Sequence, residues 1–379
     1  MKLIHLSDLH IGKRVNEFSM LEDQRYILDQ ITSIIEKEAP DAVLICGDIY
    51  DKPVPPSDAV RVLDGFLTSL AQKKVPVFLI SGNHDSSERL SFGRNLFKRS
   101  NLYIASQFNQ EIEKITIKED GYNINFYMLP FVKPAYIDHV LKIQTETYEE
   151  CFKHLMEQVK INEDETNILL AHQFVTVGKN SPELSDSETS SLGGIDNIDY
   201  RLFDAFDYVA LGHIHKPQAM GREMVRYAGS ILKYSFSEIH KDKQATILTI
   251  SKNKQISLSH HLLKPLRDMR EMECSLESLL KRKCEIGNEE DYMHVILTDE
   301  EQILDAIGKV RTVYPNVMQI SFKNRRHMMQ YETIQMKENQ IADQNPMELF
   351  EQFYKMQNHI DLDEKRAQMA ISIFEEVIR

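Results

Sequence analysis

The stretch VPVFLISGNHD, residues 75–85, is an apolar run that ends in a glycine and three side chains able to bind metal or move protons. Runs of this kind mark strands buried on both faces, as in parallel sheets. Ligands collect at the carboxyl ends of such strands. The pattern recurs four times: LIHLS leads into Asp8-Leu9-His10, AVLIC into Gly47-Asp48, NILLA into His172-Gln173, and YVALG into His213-Ile214-His215. Together the five strand ends present Asp8, His10, Asp48, Asn83, His172, His213 and His215, with His84 beside them. A lone histidine at a strand end is usually a packed or solvated residue. Five ligand-bearing ends are another matter, because parallel topology brings them to one edge of one sheet. The pattern predicts a dinuclear metal site.

The segments between these strands carry helical periodicity. Leu21, Ile27, Leu28, Ile31, Ile34 and Ile35 set a stripe over about 20–37, and Val62, Leu63, Phe66, Leu67 and Leu70 set another over about 58–72. A third helix is expected over 88–98, with Leu90, Phe92, Leu96 and Phe97. This is β-α-β-α-β-α, a layered α/β design. A hairpin follows at 112–117 and 123–129, then a helix over 145–160 and a long polar connection over 173–199. Strands near 225–228, 245–251 and 256–262 are expected to close a second sheet. Lys264-Pro265-Leu266-Arg267 marks a boundary, beyond which 268–325 reads β-α-β-α-β, a small α/β domain. The expected organisation is therefore 1–265, a first α/β domain; 266–330, a small capping domain; 331–344, a linker; and 345–379, two helices with aromatic-rich stripes and no core of their own. Such a tail should dock on a partner.

Bulk properties bound the partners. At 379 residues the chain is too long for one ordinary core. A net charge of −13 argues against general polyanion binding, so any phosphate contact must come from local basic sets such as Arg89, Arg94, Lys98 and Arg99, or Lys323, Arg325 and Arg326. No apolar stretch is long enough to span a membrane. The opening MKLIHLSDLHIG enters a strand at once and has no signal-peptide pattern. The four cysteines are scattered without C-x-x-C spacing, so neither a disulfide framework nor a zinc knuckle is indicated. A reduced, cytoplasmic setting is expected.

Mixed Asp, Asn and His ligation suits hard or borderline ions such as Mn²⁺ better than thiolate-preferring ones. Two ions about 3.5–4 Å apart would clamp the attacking and leaving oxygens of a phosphate ester. The series DLH, GDIYD, GNHD, AHQF and GHIH, spanning residues 8–215, resembles the five-block signature of calcineurin-like metallophosphoesterases. Further blocks narrow the resemblance: Tyr227-Ala228-Gly229-Ser230, Tyr234-Ser235-Phe236-Ser237-Glu238, the PLR at 265–267, and Met347-Glu348-Leu349-Phe350-Glu351 are similar to SbcD-type nuclease subunits.

That resemblance implies a four-layer sandwich, with one metal on Asp8, His10, Asp48 and His215 and a second on Asp48, Asn83, His172 and His213. It implies that His84 is the catalytic acid that meets the scissile phosphate, and that both ions are Mn²⁺. It further implies a DNA exonuclease and endonuclease that forms a homodimer within a heterotetramer. The partner would be an SbcC-type ATPase held by residues 345–379. Asp85 is expected either to orient His84 or its loop or to be purely structural, and Tyr50 and Asp51 are given no catalytic role. Two rivals remain. A small-molecule phosphodiesterase of the same superfamily rarely needs residues 265–379, and a non-catalytic scaffold would not keep all seven ligand positions filled.

Overall fold

Successive residues of the first strands face opposite layers, and this alternation builds the architecture. Ala42, Leu44 and Cys46 enter one core with Leu3, Phe78 and Ile80, while Val43 and Ile45 enter another with Ile4, Leu6 and Leu79. The computed structural model describes residues 1–119, 121–178, 180–188, 197–284, 287–301 and 303–323, with positions 350, 351, 354, 355, 362, 366 and 367. Two compact units divide the chain. The first is Met1–Glu271 with Ile286–His294 and Tyr314–Gln319; the second is Met272–Glu285 with Val295–Val313 and Ile320–Arg379.

In the first unit, β1 (Lys2–Leu6), β2 (Ala42–Cys46), β3 (Val77–Ile80) and β4 (Leu102–Ala105) run parallel to their neighbours. A second sheet comprises β5 (Glu113–Glu119), β6 (Tyr122–Leu129), β7 (Thr166–His172), β8 (Tyr208–Gly212), β9 (Gln218–Met220) and β10 (Arg222–Tyr227), in the order β9-β10-β8-β7-β6-β5. The chain then returns to the first sheet through β11 (Lys243–Ile250) and β12 (Ile256–Leu263), giving the order β12-β11-β1-β2-β3-β4. The last strands therefore do not all close a second sheet, as the sequence suggested. β11 pairs antiparallel with the open edge of β1, and only β10 joins the second sheet. Alternation gives each strand its period but not its partner.

Between the sheets lies a core in which Phe78 stacks on Phe126 with ring centroids 4.1 Å apart. Outside the first sheet, α1 (Leu21–Glu38) and α2 (Ser57–Gln72) bury Ile27, Ile31, Leu63 and Phe66. The expected third helix is broken into α3 (Ser87–Ser91) and α4 (Arg94–Phe97), because Gly93 between them takes a φ of 73°, a left-handed conformation that ends helical hydrogen bonding. Outside the second sheet lie α5 (Pro134–Leu141), which sequence periodicity did not reveal, and α6 (Tyr148–Glu157). The result is four layers, helix, sheet, sheet, helix. The five motif-bearing strand ends thus belong to two facing sheets rather than to one: β1, β2 and β3 supply three, and β7 and β8 supply two.

Beyond the sandwich, β13 (Met269–Cys274), α7 (Leu276–Leu280), β14 (Tyr292–Leu297), α8 (Ala306–Arg311) and β15 (Val317–Phe322) follow in the expected alternation, with the strands in one sheet of order β13-β14-β15. The expected linker at 331–344 lies outside the described residues, and so does nearly all of the two-helix tail at 345–379.

Candidate metal centre

All seven predicted ligands come together where the carboxyl ends of the two sheets meet. Asp8 and His10 follow β1, Asp48 follows β2, Asn83 follows β3, His172 ends β7, and His213 and His215 follow β8. The Nε2 atoms of His10 and His215 lie 3.0 Å apart. Oδ2 of Asp48 stands 3.6 Å from His10 Nε2 on one side and 3.4 Å from His172 Nε2 on the other. Oδ1 of Asn83 is 3.0 Å from His172 Nε2 and 3.1 Å from His213 Nδ1. Asp8 has an oxygen near His10 and His215, and also one near Asp48 and His172.

The chain reaches this geometry at a conformational cost. Asp8, His10 and Asp48 have φ values of 51°, 45° and 49°, and His213 has 106°, all in the left-handed region that costs a non-glycine residue of order 1–3 kcal/mol. Close backbone approach holds the turns together. A Cβ on Gly82 would sit 2.1 Å from Asp48 Oδ1, and one on Gly212 would sit 1.8 Å from the Cys46 carbonyl oxygen. The Asp48 Oδ1 atom instead accepts the His84 N–H at 2.9 Å, and Asp8 accepts the His213 N–H at 3.0 Å.

Asp8, His10, Asp48, His172 and His215 are each at most 2% exposed. Burial raises the Asp8 carboxyl to about 6, against the pull of His172 and His215. Burial would raise Asp48 as well, but His172, its hydrogen bond and His10 outweigh it and hold that carboxyl well below its usual range. Burial lowers His10 well below its ordinary value and lowers His213 to about 3, which leaves both neutral, as metal ligands must be. His172 moves the other way, to about 9, because Asp48 outweighs the burial that opposes it. Its Nδ1–H donates to the Cys46 carbonyl at 2.8 Å, which directs Nε2 into the centre. Carboxylate oxygens and imidazole nitrogens thus crowd one buried volume without sulfur among them, a donor set that fits divalent cations of hard or borderline character.

His84 lies against His10 edge to face, with ring centroids 4.9 Å apart. Its Nδ1–H donates to the Asp51 carbonyl at 2.9 Å, leaving Nε2 as the nitrogen able to exchange a proton with a substrate. Asp51 therefore acts through its backbone, while its side chain pairs with Lys13 at 2.8 Å. Asp85 accepts the N–H groups of Ile49, Tyr50 and Gly82 at 3.1, 2.9 and 2.9 Å. These bonds tie the loop after β2 to the loop after β3, the loop-serving alternative.

Several supporting residues had no such role assigned from the sequence. Gln24, a polar position on the α1 stripe, is fully buried; it donates to the His10 carbonyl at 2.7 Å and accepts the Gly12 N–H at 2.9 Å. Tyr234 donates to the Leu9 carbonyl at 2.6 Å, so the YSFSE block braces the Asp8–His10 turn. Glu238, at the end of that block, is buried in an ion pair with Lys243 behind His215. Ser187 and Glu188 reach His215 from the long polar connection. Beside Asn83 and His213 opens a cavity of about 1200 Å³ whose walls include Phe131, Phe174, Lys133 and Arg201.

Residues 1–217 match the sequence profile of calcineurin-like phosphoesterases, and the chain belongs to that family. Residues 265–358 match a second profile, described as the type 5 capsule protein repressor C-terminal domain. The branch is that of the SbcD-type proteins: over 360 residues, 94% of this chain and 93% of the relative, the sequence is 34% identical to the SbcD subunit of the SbcCD nuclease of Staphylococcus epidermidis. Among solved structures, TT1561 of Thermus thermophilus is 12% identical with a TM-score of 0.40, covering 69% of this chain and 99% of that one. A dimetal phosphatase from Danio rerio is 11% identical with a TM-score of 0.41, covering 70% and 98% respectively.

Divalent cations are expected to stabilise the folded chain by about 2.7 kcal/mol at a hundredfold excess over the dissociation constant. Chelator-stripped protein should therefore melt lower than protein supplied with Mn²⁺, and Asp48→Asn should erase most of the difference. The gain should grow as pH rises toward about 9, because ligation displaces the proton that Asp48 holds on His172 up to that point.

Proposed function

We propose that this chain is the nuclease subunit of an SbcCD-type complex and hydrolyses DNA phosphodiesters with two divalent ions, Mn²⁺ in both positions. The observation that carries the chemistry is the placement of Asp48 Oδ2 between His10 Nε2 and His172 Nε2, which suits a carboxylate shared by two ions. On this reading Asp8, His10, Asp48 and His215 would hold one ion, and Asp48, Asn83, His172 and His213 would hold the other. When bound, the pair supplies Lewis-acid stabilisation of the phosphate charge and of the attacking and leaving oxygens. His84 serves as the catalytic acid. The Asp51 carbonyl fixes its Nδ1–H, so that it is the imidazolium form whose Nε2–H can pass its proton to the leaving oxygen, leaving His84 neutral with the proton on Nδ1. The neighbouring cavity, with aromatic walls and the basic Lys133, has room for an unpaired nucleotide.

DNA is favoured over a small ester by the residues beyond 265, which the SbcD-type relative shares across nearly its whole length. We assign 1–265 to the nuclease domain, 266–330 to a capping domain against DNA, 331–344 to a linker and 345–379 to the SbcC-binding helices. The cleavage is taken as 3′ exonucleolytic on duplex ends and endonucleolytic on single strands and hairpins. Homodimerisation, within a heterotetramer, has a surface to use: Phe92 is 81% exposed, Leu96 66% and Phe97 41%. Phe92 and Phe97 line an apolar groove of about 560 Å³ with Val60, Leu63 and Leu67 of α2. No helix among the described residues is long and apolar enough to cross a membrane, in keeping with a cytoplasmic setting.

On linear duplex DNA with Mn²⁺, His84→Ala should cut about 10²–10⁴-fold more slowly while keeping its metal content; undiminished cleavage would remove His84 from the mechanism. Leu96→Asp should convert a dimer to a monomer in sedimentation velocity. Deleting residues 341–379 should abolish co-purification with an SbcC-type ATPase, and retained association would place the contact elsewhere.

A further inference from the structure

We infer that Ser187 is a positioning residue that fixes the tautomer of His215, and so prepares that imidazole to hold a metal ion. Ser187 Oγ lies 2.7 Å from His215 Nδ1 and 2.9 Å from Glu238 Oε1. The hydroxyl has a single proton, and a carboxylate only accepts. The proton therefore points to Glu238, and Ser187 must accept from His215 Nδ1–H. With the imidazole proton held on Nδ1, the lone pair falls on Nε2, the atom that faces His10 Nε2 across 3.0 Å. Direct contact does not replace this link, since His215 Nδ1 and Glu238 Oε1 are 4.0 Å apart.

Glu238 is itself held as an acceptor. It is fully buried, it pairs with Lys243, and its Oε1 also takes the Tyr234 N–H at 3.2 Å. Lys243 Nζ in turn donates to the His215 carbonyl at 2.8 Å and to Ser230 Oγ at 2.7 Å. The segment that brings Ser187 here is pinned on either side. Asp186 N–H donates to Ser237 Oγ at 2.9 Å, Ser185 Oγ is 2.8 Å from Ser187 Oγ, and Glu188 accepts the His215 backbone N–H. A polar connection with no strand or helix of its own at this point thus completes the surroundings of a buried ligand. Partners of this kind on a ligating histidine typically change metal affinity by about 10–100-fold when removed.

The inference rests on the two-ion reading above, and one titration separates the two. Chelator-stripped full-length protein is titrated with Mn²⁺ and free ion is followed by electron paramagnetic resonance, for wild type, Ser187→Ala and Ser187→Thr, alongside the melting temperature of each metal-free protein. Wild type should take up two ions. Ser187→Ala should bind one of them about 10–100-fold more weakly with an unchanged metal-free melting temperature, and Ser187→Thr, which keeps the hydroxyl, should bind both as wild type does. Wild-type affinity for both ions in Ser187→Ala would overturn the inference. So would equal weakening in the alanine and threonine variants, which would assign the effect to loop packing. A wild-type protein that takes up no Mn²⁺ would overturn the two-ion reading, and this inference with it.

Discussion

Asp48 is almost wholly out of water and yet ionised, and much of the surrounding structure serves that condition. An isolated buried carboxylate would take up a proton. This one stays charged because imidazoles stand on both sides of Oδ2 and a backbone N–H meets Oδ1. His172 responds by holding a proton, while His10 and His213 stay neutral. The charge balance of the centre is therefore incomplete in a way that divalent cations would complete. The left-handed turns at Asp8, His10, Asp48 and His213 are the conformational cost of bringing those groups within reach of one another.

The motif residues were legible because buried strands in a parallel sheet announce themselves as apolar runs, and because each run ends in a ligand. The pairing of the strands was not legible. β11 and β12 alternate as well as any strand of the second sheet, and only the open edge of β1 decides that they return to the first. For the same reason one sheet edge became two facing ones. Helix breaking at Gly93 was signalled by the residue itself but obscured by the apolar spacing of Leu90, Phe92, Leu96 and Phe97, which in the folded chain stays largely exposed after Leu90.

The supporting residues of the centre were hidden for a different reason. Gln24 occupies an ordinary polar position in an amphipathic pattern, and Ser187 and Glu188 sit in a stretch whose composition reads as a solvated loop. Their role depends on distances to residues 14 to 51 positions away, such as the 2.7 Å from Gln24 to the His10 carbonyl and the 2.9 Å from Ser187 to Glu238. Glu238 was visible as part of a motif, but nothing in the motif says that it lies buried behind a histidine. Arg267 of the PLR block resolves in the same way: its guanidinium meets buried Asp23 at 2.8 Å, so it anchors the start of α1 and is not a free cation for DNA.

The glycine contact between Gly212 and the Cys46 carbonyl has a consequence for the spacing of the ligands. At that point the two sheets touch backbone to backbone, whereas deeper in the core they are held apart by rings such as Phe78 and Phe126. The gap between ligands carried by β1, β2 and β3 and those carried by β7 and β8 is thus gauged by main chain, which cannot change rotamer. The separation of the two ligand sets is therefore a property of the frame, whatever rotamers the side chains take.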